Sequence, residues 1–190
     1  MLKNLFISKV RIRLLDKYMS DITKSYHVRG LVRELGEEIN AVRRELLNLK
    51  KAGLLTSSKD GNKIMYKIDK SCPIIWELRS MFFKESKIGK TLYEKLIPIE
   101  GIKVVIVTEV FLKSNHENNT DIDLLFIGDM KIRELSQVMS SLEKDLDRVI
   151  RFAAMRVEDF EFGKKKQDPI LMNALSKDKI ILIGKDSDLF

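Results

Sequence analysis

Two runs of apolar residues at helical spacing, joined at a glycine, are the strongest constraint on the first half of this 190-residue chain. In HVRGLVRELG, residues 27–36, apolar side chains recur at i, i+3, i+4 and i+7, and Gly36 stands where a helix C-cap would. In EEINAVRRELLNLKKAGLL, residues 37–55, apolar residues again fall on one side, and Gly53 closes the segment. Two short helices joined at a glycine predict a helix-turn-helix.

Elements on either side of this helix pair complete the pattern. A helix precedes it, because apolar residues at helical spacing run through residues 5–19. Two β-like runs follow it in LLTSSKDGNKIMYKID, residues 54–69, around Asp60-Gly61-Asn62. Asp-Gly favours a hairpin because the turn needs residues that tolerate positive φ. A hairpin directly after a helix-turn-helix is a wing, so the sequence predicts a winged helix.

Residues 4–70 resemble the winged-helix domains of ArsR-like transcription regulators in helix order, spacing and wing. The stretch from His27 to Leu55 resembles that family's second and recognition helices, and it ends in the pattern L-x-x-L-x-x-x-G-L-L. The resemblance implies DNA binding. Members of this family often sense metals through Cys/His clusters, but this chain has only Cys72, His27 and His116, well separated in sequence, so metal sensing is disfavoured.

The net charge of +7 is concentrated in the first half of the chain. Residues 1–85 hold 18 lysines and arginines against 10 acidic residues, whereas residues 86–190 hold 17 against 18. An excess of positive charge attracts phosphate backbones, so a nucleic-acid partner would bind the first half. Ordinary solvated helices are also rich in lysine, and charge alone leaves that alternative open.

The open side of the second helix of the pair carries side chains that can read DNA. If the apolar stripe from Ile39 to Leu49 faces the core, polar residues, with Glu37 near them, are left on the other side. Arg pairs bidentately with guanine and Asn with adenine, while hairpin residues would contact phosphate or the minor groove. The predicted DNA-binding residues are Asn40, Arg43, Arg44, Lys59, Asn62 and Lys63.

A connector follows in residues 73–98, PIIWELRSMFFKESKIGKTLYEKLIP, and Pro73 fits the first position of a helix. The apolar stripe of this helix is larger than one small hairpin could cover. Its residues are Ile74, Ile75, Leu78, Met81 and Phe82, with Trp76 and Phe83 beside them. Flanking helices commonly form the dimer interface of winged-helix regulators, so the resemblance implies a homodimer. The alternative is that this helix packs on the second domain.

From Gly101 the pattern changes to strand, loop, strand, helix. IKVVIVTEVF, residues 102–111, is continuous and β-branched, as a central buried strand should be, and DIDLLFIGD supplies a second strand. A helix over residues 131–150 and two further strands, in RFAAMRV and KIILIGKD, complete an α/β domain of roughly 90 residues.

Asp121 and Asp123 stand one residue apart where the second strand of this domain begins. Residues i and i+2 of a strand point to one face, so both carboxylates would project together. Paired oxygen ligands of this kind suit a hard divalent cation such as Mg²⁺. The alternative is that the two aspartates only solvate the end of a strand.

The stretch VVIVTEVFLKSNHENNTDIDLLFIGD, residues 104–129, resembles the core of minimal nucleotidyltransferases of the DNA polymerase β type. Their signature is an apolar strand, a Gly-Ser pair, a polar stretch, and two aspartates around one apolar residue. In that family the carboxylates hold Mg²⁺ on a nucleoside triphosphate, and Gly-Ser opens a helix whose amides cradle phosphate. The resemblance implies that Asp121 and Asp123 are vestigial metal ligands.

Glu109 and Val110 stand where the resemblance places Gly-Ser. A carboxylate there repels phosphate, and neither side chain leaves the backbone room to approach it. RFAAMRV also offers no third carboxylate. We therefore predict an inactive domain that serves as a scaffold or ligand sensor, without a cofactor and with a nucleotide ligand disfavoured. Two alternatives stay open: an active Mg²⁺-dependent nucleotidyltransferase with a DNA-binding domain, and a protein-binding adaptor in which neither activity matters.

These observations predict an α+β chain of two domains. A winged helix spans residues 1–72, connector helices span 73–98, and a nucleotidyltransferase-like domain with a small mixed sheet spans 99–190. One cysteine excludes a disulfide framework, and no apolar stretch approaches the roughly 18 residues of a membrane span. The N-terminus does not read as a secretory signal. We predict a cytoplasmic transcriptional regulator that binds double-stranded DNA and has no membrane partner.

Overall fold

A computed structural model of the chain describes residues 2–113, 116, 118 and 120–189. The chain divides into two compact units, Met1–Glu85 and Ser86–Phe190. The described residues form an α+β structure with one three-stranded and one four-stranded sheet. None of the helices described has both the length and the apolar character that a membrane span requires.

The first unit has the topology of a winged helix. Its elements are α1 (Leu2–Leu5), α2 (Lys9–Ser20), β1 (Ser25–His27), α3 (Val28–Leu35), α4 (Ile39–Lys51), β2 (Leu55–Asp60), β3 (Lys63–Ile68) and α5 (Ile75–Glu85). The three strands form an antiparallel sheet in the order β1-β3-β2. This confirms the predicted order of a helix, a helix pair and a hairpin.

Glycines end the first helix of the pair and turn the hairpin, as predicted. Gly36 adopts the left-handed conformation with φ 63°, and its N–H donates to the carbonyl of Val32, which caps α3. Gly61, between β2 and β3, has φ 53°. Residues with a side chain rarely adopt these angles, so both glycines follow from the backbone path.

The start of the chain differs from the prediction of one continuous helix. The backbone breaks after α1, and Ser8 caps α2 by accepting a hydrogen bond from the Arg11 N–H at 3.2 Å. Ile7 lies in this break and is fully exposed, so it does not belong to the buried stripe. The sequence also did not predict β1, whose last residue, His27, is the N-cap of α3.

Most of the apolar stripe of α5 lies in the core of its own unit. Ile75 and Phe82 are buried, and Leu78 and Met81 pack against the same core. Ile75 is 0% exposed and Phe82 is 2% exposed, so neither side chain is available for a dimer interface, and the predicted interface stripe is wrong at these two residues. The helix begins two residues after Pro73, which is therefore not its first residue.

The second unit contains a mixed sheet covered by helices. Its elements are α6 (Lys87–Leu96), β4 (Ile102–Thr108), α7 (Glu109–Lys113), β5 (Leu124–Gly128), α8 (Ile132–Leu146), β6 (Phe152–Met155), α9 (Val157–Lys166), α10 (Pro169–Ser176), β7 (Lys179–Ile183) and a 3-10 turn at Asp186–Asp188. The strand order is β6-β5-β4-β7. β4 is antiparallel to both of its neighbours, and β5 is parallel to β6.

Two features of the second unit correct the predictions. The strand predicted over residues 102–111 ends at Thr108, and Glu109 begins the helix α7. The sequence did not predict α10, which begins at Pro169 after the N-cap residue Asp168. The two units divide between α5 and α6, inside the predicted connector 73–98, and the three-part division of the chain stays a prediction.

Candidate functional site

The helix α4 presents a polar face opposite its buried stripe. Its start is fixed by Glu38, whose side chain accepts hydrogen bonds from the backbone N–H groups of residues 40 and 41 at 2.7 and 2.9 Å. Val42, Leu46 and Leu49 are buried in the core, and Ile39 is half-buried. On the opposite side the three side chains predicted to read DNA are exposed. They are Asn40, Arg43 and Arg44.

A buried carboxylate of α4 forms an ion pair with α2. Glu45 is 4% exposed, and its Oε2 accepts a hydrogen bond from Arg11 Nε at 2.9 Å. Burial raises the pKa of this carboxyl, but the hydrogen bonds from Arg11 and Ser8 outweigh burial, and the pKa lies below its ordinary value. The sequence did not reveal this pair, because a glutamate inside a helical run reads as solvated.

Glu37 is engaged with α2. Its Oε1 lies 2.6 Å from Arg13 Nη1, so this carboxylate neutralises an arginine of the protein itself. A second pair, Lys17 with Glu34 of α3 at 2.8 Å, has the same effect. Glu37 and Glu34 are therefore paired with basic residues of α2.

The hairpin continues this exposed surface. The predicted phosphate-contacting residues Lys59, Asn62 and Lys63 are exposed at and beside its tip. Lys50 of α4 donates a hydrogen bond to Ser57 Oγ of β2 at 2.7 Å, which ties the end of the helix to the base of the hairpin. Helix and hairpin are therefore held in one arrangement within the first unit.

Sequence reasoning missed three exposed residues of this surface. Arg29 and Arg33 lie one helical turn apart on the solvent side of α3, because Gly30 and Leu31 face the core. Leu47, which was not assigned to either side of α4, is 52% exposed on its polar side. Helical phase alone could have found all three, since each falls opposite the buried residues of its helix.

The aspartate pair of the second unit lies just before β5 and not within it. Both residues are buried, Asp121 at 1% and Asp123 at 0% exposure. Asp121 Oδ1 accepts a hydrogen bond from Asn173 Nδ2 of α10 at 2.9 Å and lies 3.8 Å from Lys177 Nζ. Its Oδ2 accepts from the Asn118 N–H at 2.9 Å. This carboxylate is held by the end of α10 and by its own loop.

Asp123 is bound by a different set of donors. Its Oδ1 accepts from Arg148 Nη2 at 3.2 Å. Its Oδ2 accepts from the Arg151 N–H and lies next to His116 Nε2, both at 2.9 Å. Arg148 also stacks over the Phe111 ring, 4.2 Å from its centroid. The guanidinium therefore supplies positive charge next to the Asp123 carboxylate.

The two carboxylates of the pair are bound by different donors. In the part of the chain that the structure describes, no set of three or more His, Cys, Asp or Glu is placed to hold a metal ion. At the position of the expected phosphate cradle, Glu109 pairs with Lys113 at 2.6 Å and Val110 is buried.

Comparison with known proteins gives one similar solved structure to report. No family model and no curated protein matches the chain. The solved structure of reduced HlyU from Vibrio cholerae N16961 is similar, with 17% identical residues and a TM-score of 0.34, over 44% of this chain and 82% of that chain. We therefore base the function on the side chains and charges described above.

Proposed function

We propose that the chain is a transcriptional regulator that binds double-stranded DNA sequence-specifically through α4 and the β2-β3 hairpin. The observation that carries this proposal is the outer face of α4, where Asn40, Arg43 and Arg44 are exposed opposite the buried side of the helix. A helix of this size enters the major groove of B-DNA, and these residue types pair with adenine and guanine edges.

The rest of the first unit supports the same orientation. With α4 in the groove, the exposed Arg29 and Arg33 of α3 fit the role of the first helix of a helix-turn-helix, which crosses the phosphate backbone. The hairpin residues Lys59 and Lys63 extend the contact to phosphate or the minor groove. Phosphate contacts supply affinity, while the α4 side chains supply specificity.

Titration of fluorescent duplexes with the full chain tests the proposal. A duplex selected from a randomised library should bind with a dissociation constant that rises steeply with salt, because lysines and arginines displace condensed counterions. Arg43→Ala with Arg44→Ala should weaken this binding by about 1–3 kcal/mol for each lost base contact and should reduce the preference over random duplex.

A matched variant separates base reading from net charge. Lys144→Ala with Lys165→Ala removes the same charge from exposed positions of the second unit and should change binding little. Equal affinities of the α4 variant and the unmodified chain, at fixed salt, would remove the assignment of α4 as the recognition helix. If both double variants lose the same binding affinity, the loss is explained by net charge and not by base contacts.

For the second unit, we propose a scaffold or ligand-sensing role without nucleotidyl transfer. The support is the set of three donors at Asp123, which are Arg148, the Arg151 N–H and His116, together with Glu109 at the expected phosphate position. Calorimetry with ATP and Mg²⁺ should detect no tight binding. Micromolar, Mg²⁺-dependent binding that Asp121→Asn abolishes would favour the active enzyme instead.

A further inference from the structure

The outer face of α4 has an apolar residue at its centre. With 3.6 residues per turn, Leu47 lies about 20° around the helix from Asn40. It falls between Arg43 and Arg44 in helical phase, nearly opposite the buried Leu49. Its side chain is 52% exposed and contributes little to the core. A lone exposed leucine is ordinary, but its position at the centre of a basic, DNA-facing surface is informative.

The charges around Leu47 restrict what can cover it. Arg43, Arg44 and the exposed Lys51 lie on the same side of the helix, and Glu37 and Glu45 are paired with arginines of α2. A polyanion therefore suits this surface better than an apolar protein segment. The apolar group that duplex DNA offers in its major groove is the 5-methyl group of thymine.

We propose that Leu47 is a specificity-determining residue that covers the 5-methyl group of a thymine in the bound site. This inference rests on the proposed DNA binding by α4 and adds to it a base that none of the polar side chains would select. The arginines favour guanine and Asn40 favours adenine. Leu47 supplies the contact that distinguishes thymine from cytosine, which has no methyl group.

Deletion of the methyl group measures this contact directly. Sites selected from a randomised duplex library should contain thymine at a fixed position, and replacement of that thymine by deoxyuridine removes only the methyl group. A buried methyl group is worth about 0.8 kcal/mol, so binding by the unmodified chain should weaken about fourfold. Leu47→Ala removes most of the apolar surface that would cover the methyl group, so this variant should bind the two duplexes nearly equally.

Two further variants control the experiment. Leu47→Met keeps length and apolar character and should preserve the discrimination between thymine and uracil. Ile132→Ala removes an equally exposed apolar side chain from α8 of the second unit and should also leave it unchanged. All these positions are exposed, so the variants should fold like the unmodified chain, which circular dichroism verifies.

The outcomes separate this inference from the proposal beneath it. Specific DNA binding without any thymine-to-uracil effect overturns the role of Leu47 and leaves the α4 assignment intact. The same result follows if Leu47→Ala keeps the fourfold discrimination. Absence of specific duplex binding by the unmodified chain overturns both. Loss of discrimination in Leu47→Ala, with discrimination retained in Leu47→Met, supports the contact.

Discussion

Replacement of Arg148 by methionine should strongly destabilise the sheet of the second unit. Arg148 Nη2 lies 3.2 Å from Oδ1 of the fully buried Asp123 carboxylate. It also donates to the Phe111 carbonyl at 3.2 Å and stacks over the Phe111 ring. Methionine fills similar space without the charge, so Arg148→Met isolates the electrostatic contribution.

The expected loss can be estimated from these contacts. A hydrogen bond to a buried charge contributes about 1.5–3 kcal/mol, and a partly buried cation–π contact adds about 0.5–2 kcal/mol. Breaking a buried ion pair costs about 3–5 kcal/mol when one charge is left unpaired. Asp123 keeps the Arg151 N–H and His116, and Arg148 is itself 20% exposed, so we expect a loss of about 2–4 kcal/mol.

Hydrogen exchange measured by mass spectrometry is the appropriate assay, because the chain has two units and need not unfold in one step. Amides of β5 should exchange at least about 30-fold faster in Arg148→Met, since each 1.36 kcal/mol corresponds to a factor of ten. Peptides from α4 in the first unit provide an internal reference in the same sample.

Arg151→Met is the matched control. The Arg151 side chain is exposed and donates to the Asn118 carbonyl. Its contacts with Asp123 are made by the backbone, whose N–H donates to Oδ2 and whose carbonyl accepts from the Asp123 N–H. The substitution removes one positive charge from the same region but keeps that backbone donor, so β5 should exchange nearly as in the unmodified chain. Unchanged β5 exchange in Arg148→Met, or equal acceleration in both variants, would refute Arg148 as the specific counter-charge of Asp123.

Two other substitutions test the first unit, which contains the single tryptophan, Trp76, as a fluorescent reporter of denaturant unfolding. Glu45→Gln should cost about 1 kcal/mol at neutral pH, because Arg11 is 37% exposed and the pair is partly screened. Because folding lowers the pKa of Glu45, the ionised carboxylate stabilises the unit fully at pH values above its ordinary pKa of 4.5. The stability difference between Glu45→Gln and the unmodified chain should therefore vanish as the pH falls through the lowered pKa. A constant difference down to pH 3 would contradict this reasoning. Phe82→Ala should lower the free energy of unfolding by about 3 kcal/mol or more, because it leaves a cavity in the core. A variant that keeps its stability but no longer dimerises in light scattering would instead show that Phe82 belongs to a dimer interface.

Local signals explain why the helix pair and the hairpin could be predicted from the sequence. Gly36 and Gly61 mark conformations that few other residues adopt, and the stripe of α4 repeats at the helical period. Strand β1 could not be predicted, because its three residues are ordered by pairing with β3, about 40 residues later. The burial of Phe82 likewise depends on tertiary packing, which an apolar stripe alone does not determine.

The aspartate pair shows the same limit at a site. The spacing of Asp121 and Asp123 predicted a shared direction, but that rule holds inside a strand, and both residues precede β5. Their partners Asn173 and Arg148 come from α10 and from the segment after α8. Polar contacts between residues this distant in sequence leave no periodic signal, so the sequence could indicate the carboxylates but not what neutralises them.

The central claim is that α4 reads base edges in the major groove, and substitution of guanine by 7-deazaguanine tests it most directly. This change removes only the N7 acceptor, which lies in the major groove and pairs with arginine. At one or more guanines of the selected site, the unmodified chain should bind on the order of tenfold more weakly, and Arg43→Ala or Arg44→Ala should lose that sensitivity. Full affinity for the 7-deazaguanine duplex, combined with loss of binding when a minor-groove ligand occupies the site, would contradict the account.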